Sequence, residues 1–172
     1  MKFIIKIEKI IEPSILGGII IEMDGKILTG KKENPNELVY NEELLHLFVP
    51  ALLEKIPKIL FDNEEIIERY YDYPGGIIIY HPKNSSEIGI QVGYPDHSKF
   101  YDGEAKIYYA NRGEVVKQIL DATNDFLNQI KTFLNSEPWI SRLINKLIPL
   151  INEGNSQLAK YNNSKKNKIE QE

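Results

Sequence analysis

The sequence predicts an α+β domain, with one antiparallel sheet of about six strands in the order βββ-α-βββ-α-α packed on helices. Three observations carry this expectation. The first thirty residues alternate apolar and polar side chains with period two, a second group of β-like runs follows between residues 76 and 110, and a broad apolar stripe of helical period begins after Gly113. Strands come in runs and helices follow them, which is the order of an α+β fold and not of a parallel α/β sheet.

In the first run, Phe3, Ile5 and Ile7 alternate with Lys2, Lys6 and Glu8, so one face is buried. Residues 15–23 are more uniformly apolar and end at Asp24-Gly25, the dipeptide suited to a type I′ hairpin turn into 26–29. Pro13-Ser14 makes the first turn of this three-stranded unit, and Gly30 closes it. From Asn41, a candidate N-cap followed by Glu42 and Glu43, the apolar positions Leu45, Phe48, Val49, Leu52, Leu53, Ile56 and Leu60 take helical spacing. Pro50 and Pro57 lack the amide proton a helix interior needs, so two short helices or one bent helix are expected here.

Residues 62–73 are acidic and rich in tyrosine, and their spacing fits either a helix or an extended segment. After the turn Pro74-Gly75-Gly76, residues 76–81 and 87–94 read as strands. In the latter, Ile88, Ile90, Val92 and Tyr94 alternate with Glu87, Gly89, Gln91 and Gly93, a thin outward strip open to close approach. Residues 104–110 form another strand, and Asn111-Arg112-Gly113-Glu114 resembles a capping box. The helix that follows carries Val116, Ile119, Leu120, Thr123, Phe126, Leu127, Ile130, Phe133 and Leu134 on one stripe over about six turns. A last helix begins near 136–138, uses Trp139, Ile140, Leu143, Ile144, Leu147, Ile148 and Ile151 for the core, is bent or weakened near its end by Pro149, and stops at Gly154. Residues 1–154 thus form a single domain, and 155–172, poor in apolar side chains, a polar and mobile tail.

At 172 residues the chain can build one substantial core. It has no cysteine, which removes disulfides, thiolate nucleophiles and cysteine-based metal centres. Lys6, Glu8 and Lys9 break the apolar start before it reaches signal-peptide length, and no run approaches the roughly 18 apolar residues of a membrane span. A cytoplasmic protein without membrane association is expected. The four lysines of the tail outnumber its two glutamates, so the remainder is more acidic than the net charge of −4 indicates. Such a body repels nucleic acid and attracts basic partners.

No motif for a known chemistry is present. The glycine pairs Gly17-Gly18 and Gly75-Gly76 precede β runs, whereas a phosphate cradle sets its glycines before a helix. His46 lies on or beside an apolar helical face as a satisfied or surface histidine, and His81 ends a strand before Pro82, where it can cap the turn. His97, between Asp96 and Ser98, is the one place where acid, base and hydroxyl are neighbours, but adjacency in sequence does not make a triad. Neither a metal nor a cofactor is called for, and no catalytic residue is assigned. Tyr108, Tyr109 and Arg112 could stack on bases, yet no basic stripe accompanies them.

The most distinctive surface is therefore the acidic-aromatic segment. Asp62, Glu64, Glu65, Glu68 and Asp72 stand against Arg69 alone, interleaved with Tyr70, Tyr71 and Tyr73. Tyrosine gives contact area at low entropic cost, and carboxylates orient basic partners by charge-assisted hydrogen bonds. In general layout, over the runs 15–29, 76–94 and 104–110 and the helix from Gly113, the chain resembles the immunity proteins that protect bacteria from polymorphic or contact-delivered toxins. The resemblance implies a non-enzymatic protein that binds and occludes a toxin domain, often basic, with Glu64, Glu65, Glu68, Tyr71, Asp72 and Asp96 touching it. Two further readings stand beside it: a small enzyme or ligand-binding domain using His81 and the loop from Asp96 to Asp102, and a subunit of a larger assembly, self-association included, with the apolar helix 139–151 covering a partner.

Overall fold

The computed structural model describes residues 1–28, 43–62, 66–72, 75–82, 85–92 and 107–169. The fold is α+β, as the sequence predicts, but the single six-strand sheet is replaced by two antiparallel sheets. In the first, β1 (Lys2–Ile11) pairs along nearly its whole length with β2 (Ser14–Met23), with a bulge between Ile7 and Lys9. Among the described residues, the other side of β2 takes two short partners, β3 (Lys26–Ile27) and β4 (Glu43–Leu44). Asp24 and Gly25 both have positive φ, 51° and 73°, as the expected hairpin turn requires.

Helix α1 (Leu45–Glu54) leaves the sheet directly from β4, and α2 (Ile56–Phe61) follows after Lys55. Pro57 sits in the first turn of α2, where its missing amide costs nothing, so two short helices form. Glu43, expected in the first turn of a helix, instead pairs with Gly17, and Asn41 lies outside the described residues.

The second sheet has the order β5-β6-β7-β8: β5 (Ile66–Asp72), β6 (Gly75–His81), β7 (Glu87–Val92) and β8 (Tyr108–Asn111). Its first strand settles the choice left open by the acidic segment, which is extended from Ile66 and forms a hairpin with β6. This is why one sheet becomes two. The extra strand starts a new hairpin that takes β6 as its partner, and α1 and α2 intervene in the chain between it and β2.

Two long helices complete the core. In α3 (Arg112–Lys131), Asn111 caps the first turn by accepting from the amides of Gly113 at 3.0 Å and Glu114 at 3.4 Å. Its buried stripe, Val115, Val116, Ile119, Leu120, Phe126, Leu127 and Ile130, packs on β1, the other helices and β8. Helix α4 (Ile140–Ile169) buries Ile140, Leu143, Ile144, Leu147 and Ile151 in the same core. The apolar face expected to cover a partner is thus largely occupied within this chain, with Ile148 of that stripe left exposed. No helix of the described residues is long and apolar enough to cross a membrane.

The expected stop at Gly154 does not occur. A Cβ on Gly154 would lie 2.8 Å from Leu120 Cδ2 and 2.9 Å from Ile56 Cδ1, so the glycine permits close helix packing in mid-helix instead of ending α4. The last turns, read from the sequence as a mobile tail, are helical to Ile169 and dock through Tyr161, which is 7% exposed and meets the Phe61 ring edge-to-face at 5.9 Å. Lys165 Nζ lies over the Tyr161 ring, 5.1 Å from its centre.

Candidate functional site

The acidic-aromatic segment becomes an edge. Strand β5 stands at one end of its sheet and pairs only with β6 among the described strands, in the register Glu68↔Ile79, Tyr71↔Gly76 and Asp72↔Gly75. Glu68, Tyr71 and Asp72 are thereby brought onto one terminal strand, Tyr71 and Asp72 at its turn end. Glu64, Glu65 and Asp96 lie outside the described residues, as do His97, Tyr101 and Asp102. The outer strand of a sheet offers unpaired backbone donors and acceptors, to which an incoming extended segment can add.

On β7 the strip of small residues is closed at Gly89, and Gly93 lies outside the described residues. A Cβ on Gly89 would meet Ile107 Cγ2 at 2.6 Å, Tyr109 Cε1 at 3.2 Å and Tyr80 Cβ at 3.3 Å, so neighbouring strands already fill the space. Gln91 is buried and accepts from the Tyr80 hydroxyl. Nor do Tyr108, Tyr109 and Arg112 form a stacking surface, because Tyr109 is exposed while Arg112 is buried.

Arg112 instead organises the base of the β5–β6 hairpin. As the first residue of α3 it turns inward, and its Nη1 donates to the carbonyls of Ile59 at 3.3 Å and Asp62 at 2.5 Å while Nη2 reaches that of Pro82 at 3.5 Å. Its backbone amide donates to Ser86 O at 3.0 Å. The missing side chain of Gly113 lets Tyr161 and Asn162 approach, each 3.3 Å from where a Cβ would stand. His81, two residues beyond buried Ile79 on the same strand face, is 0% exposed. Neither of its ring nitrogens is hydrogen-bonded, and Asp62 Oδ2, Arg112 Nε and the Tyr161 hydroxyl are likewise buried and unbonded. Burial, and then the nearby Arg112 cation, push the His81 pKa below its ordinary 6.5 against the opposing pull of Asp62. Burial also lowers that of Arg112, which Tyr161 and Asp62 raise in turn.

This arrangement joins parts that sequence reasoning did not connect. His81 does end its strand before Pro82, but it is packed inside. The sequence suggests Arg112 only as a stacking candidate and sets Tyr161 in the expected tail. The available signal was an arginine set inside a capping sequence at a helix start, where a buried guanidinium can reach the carbonyl ends of preceding elements. His46 is the satisfied helical histidine of the sequence reading, its Nδ1 accepting from Ile15 N–H at 3.3 Å.

An open groove of about 570 Å³ lies elsewhere, between the β1 bulge and the end of α3. Lys9, Gln129, Thr132 and Glu137 surround Phe133 there, and none of these polar side chains is buried to fix a ligand. Comparison with protein-family models, with curated protein sequences and with solved structures found no match to the chain.

Proposed function

We propose that the chain is a non-enzymatic binding protein of the immunity type, which occludes a basic toxin domain through the β5 edge. The observation that carries this reading is the position of the acidic-tyrosine segment on the terminal strand of a sheet. Between residues 62 and 72, five carboxylates stand against one arginine, and β5 places the second half of that run beside backbone groups without a further strand partner among those described. Charge would steer a basic partner, and strand addition or tyrosine contact would hold it. Glu64, Glu65, Glu68, Tyr71, Asp72 and Asp96 are the residues assigned to the contact.

The test is co-purification with the product of the neighbouring gene when that gene encodes a toxin-like domain. Binding is expected to weaken as salt rises from about 0.05 M to about 0.5 M, because the Debye length shrinks from more than 10 Å to a few ångströms. The triple variant Glu64→Lys, Glu65→Lys, Glu68→Lys should lose at least about tenfold in affinity and fail to restore growth to toxin-expressing cells. Full affinity in that variant, or an operon of metabolic enzymes in place of a toxin gene, would remove the basis of the reading.

A further inference from the structure

We propose that His81 and Arg112 form an acid-released latch that fastens the open end of the β5–β6 hairpin to the helices. The proposal rests on the geometry of the hairpin base and holds whatever partner the edge binds. The hairpin is anchored where its two strands meet the rest of the chain. Ile66 pairs with His81 at that end, Asp62 precedes β5, and Pro82 follows β6. One guanidinium spans both approaches, since Arg112 donates to the carbonyls of Asp62 and Pro82 together, and to that of Ile59 in α2. The hairpin that carries the acidic strand, held in its sheet by the pairing of β6 with β7, is thus tied at its base to α2 and α3 through the buried Arg112 side chain.

His81 sits inside that tie in a state only the neutral ring tolerates. It is fully buried with both nitrogens unbonded. An imidazolium needs two acceptors. The charged groups that face it are Lys58 and Asp62 from the end of α2 and Arg112 from α3, while Tyr161 of α4 faces Arg112. Among the described residues two cations stand against one carboxylate, and this balance, with a ring that is fully buried, favours the neutral form while the latch is closed. Opening the hairpin base hydrates the ring and separates it from Arg112, so the open state takes up the proton more readily. Acid therefore shifts the equilibrium toward the open hairpin, and the acidic strand is released from its anchorage without unfolding α3.

Amide hydrogen exchange on the full chain at about pH 7.5 and about pH 5 tests this, with rates corrected for intrinsic exchange. Protection of residues 66–72 and 75–81 is expected to fall by up to about tenfold for each pH unit below the ordinary histidine value, while α3 remains the better protected of the two at both pH values. In His81→Phe this pH dependence should vanish. Hairpin protection that is equal at both pH values, or equally pH-dependent in His81→Phe, overturns the latch. Should the variant not fold, the ring proton resonance of His81 in the native protein decides. A titration that coincides with loss of hairpin protection supports the proposal, and an ordinary titration under a fully protected hairpin overturns it.

Discussion

At the scale of single residues, Arg112 does more than its capping position requires. Its guanidinium stays charged at neutral pH and is 2% exposed, so the carbonyls of Ile59, Asp62 and Pro82 act as its solvent. Hydrogen bonds to a charged group are each worth about 1.5–3 kcal/mol, but removing the cation also removes its desolvation cost. Arg112→Met, which keeps much of the volume, should therefore lower stability by about 3 kcal/mol, seen as a lower urea midpoint at unchanged slope. His81 makes stability depend on pH with a defined sign. Its folded pKa lies below the ordinary 6.5, so the unfolded chain binds the proton first as pH falls. This contribution is constant above about 6.5 and is lost progressively below it, toward the folded value. Melts of the native protein should lose midpoint temperature between about pH 6.5 and about pH 5, where carboxylates are still largely ionised, and His81→Phe should be flat over that range. The sequence showed where His81 falls along the chain, at a strand end before proline. Its burial was not legible, because the groups that enclose it come from Arg112 and the end of α2, and no periodicity links those segments.

At the scale of elements, glycines set two distances that hydrophobic pattern alone does not. Gly17 pairs with Ile7 across the first sheet, and a Cβ there would stand 2.0 Å from Lys6 O and 2.7 Å from Leu45 Cδ1. The first obstacle is backbone, which cannot rotate away, so Gly17→Ala should cost about 3 kcal/mol or more in urea unfolding. A variant of native stability would mean that β1 and β2 separate more easily than their register indicates. Helix α3 was legible from its cap through Ile130 because the cap and the 3.6-residue period are both local, but the stripe read on to Phe133 and Leu134 overruns it, since the helix ends at Lys131 and Phe133 is exposed. The length of α4 was not. Gly154 looks like a stop in one dimension, whereas in three it makes room for Leu120 and Ile56, and Tyr161 then anchors the polar turns beyond. Tyr161 supplies this anchor with its ring, since its hydroxyl is buried without a partner. Tyr161→Ala should cost about 3 kcal/mol and reduce helical circular dichroism, while Tyr161→Phe should be neutral or slightly stabilising. Equal losses in both variants would place the anchor in the hydroxyl instead.

At the scale of the whole molecule, the α+β class was legible because it follows from the order of periods along the chain. The partition into two sheets was not, because strand partners are chosen by edges and crossings, and the acidic segment had no clear period to announce β5. What unites the sheets is α3, which packs on β1 of the first and on β8 of the second as well as on α1, α2 and α4. A core divided between two sheets could unfold in two steps, but a helix shared by both makes the loss of either expose the same stripe. At neutral pH the chain should therefore unfold in one transition. Trp139, beside the core at the start of the α4 region, reports on the helical layer, and near-ultraviolet tyrosine signals report strongly on the second sheet, where Tyr70, Tyr71, Tyr80, Tyr108 and Tyr109 lie. The two probes should give coincident urea curves. Phe126 is fully buried on α3, and Phe126→Ala should move both curves together by about 3–5 kcal/mol. If tyrosine signals instead persisted after the tryptophan transition, the second sheet would stand without α3, and the shared-helix account of the fold would fail.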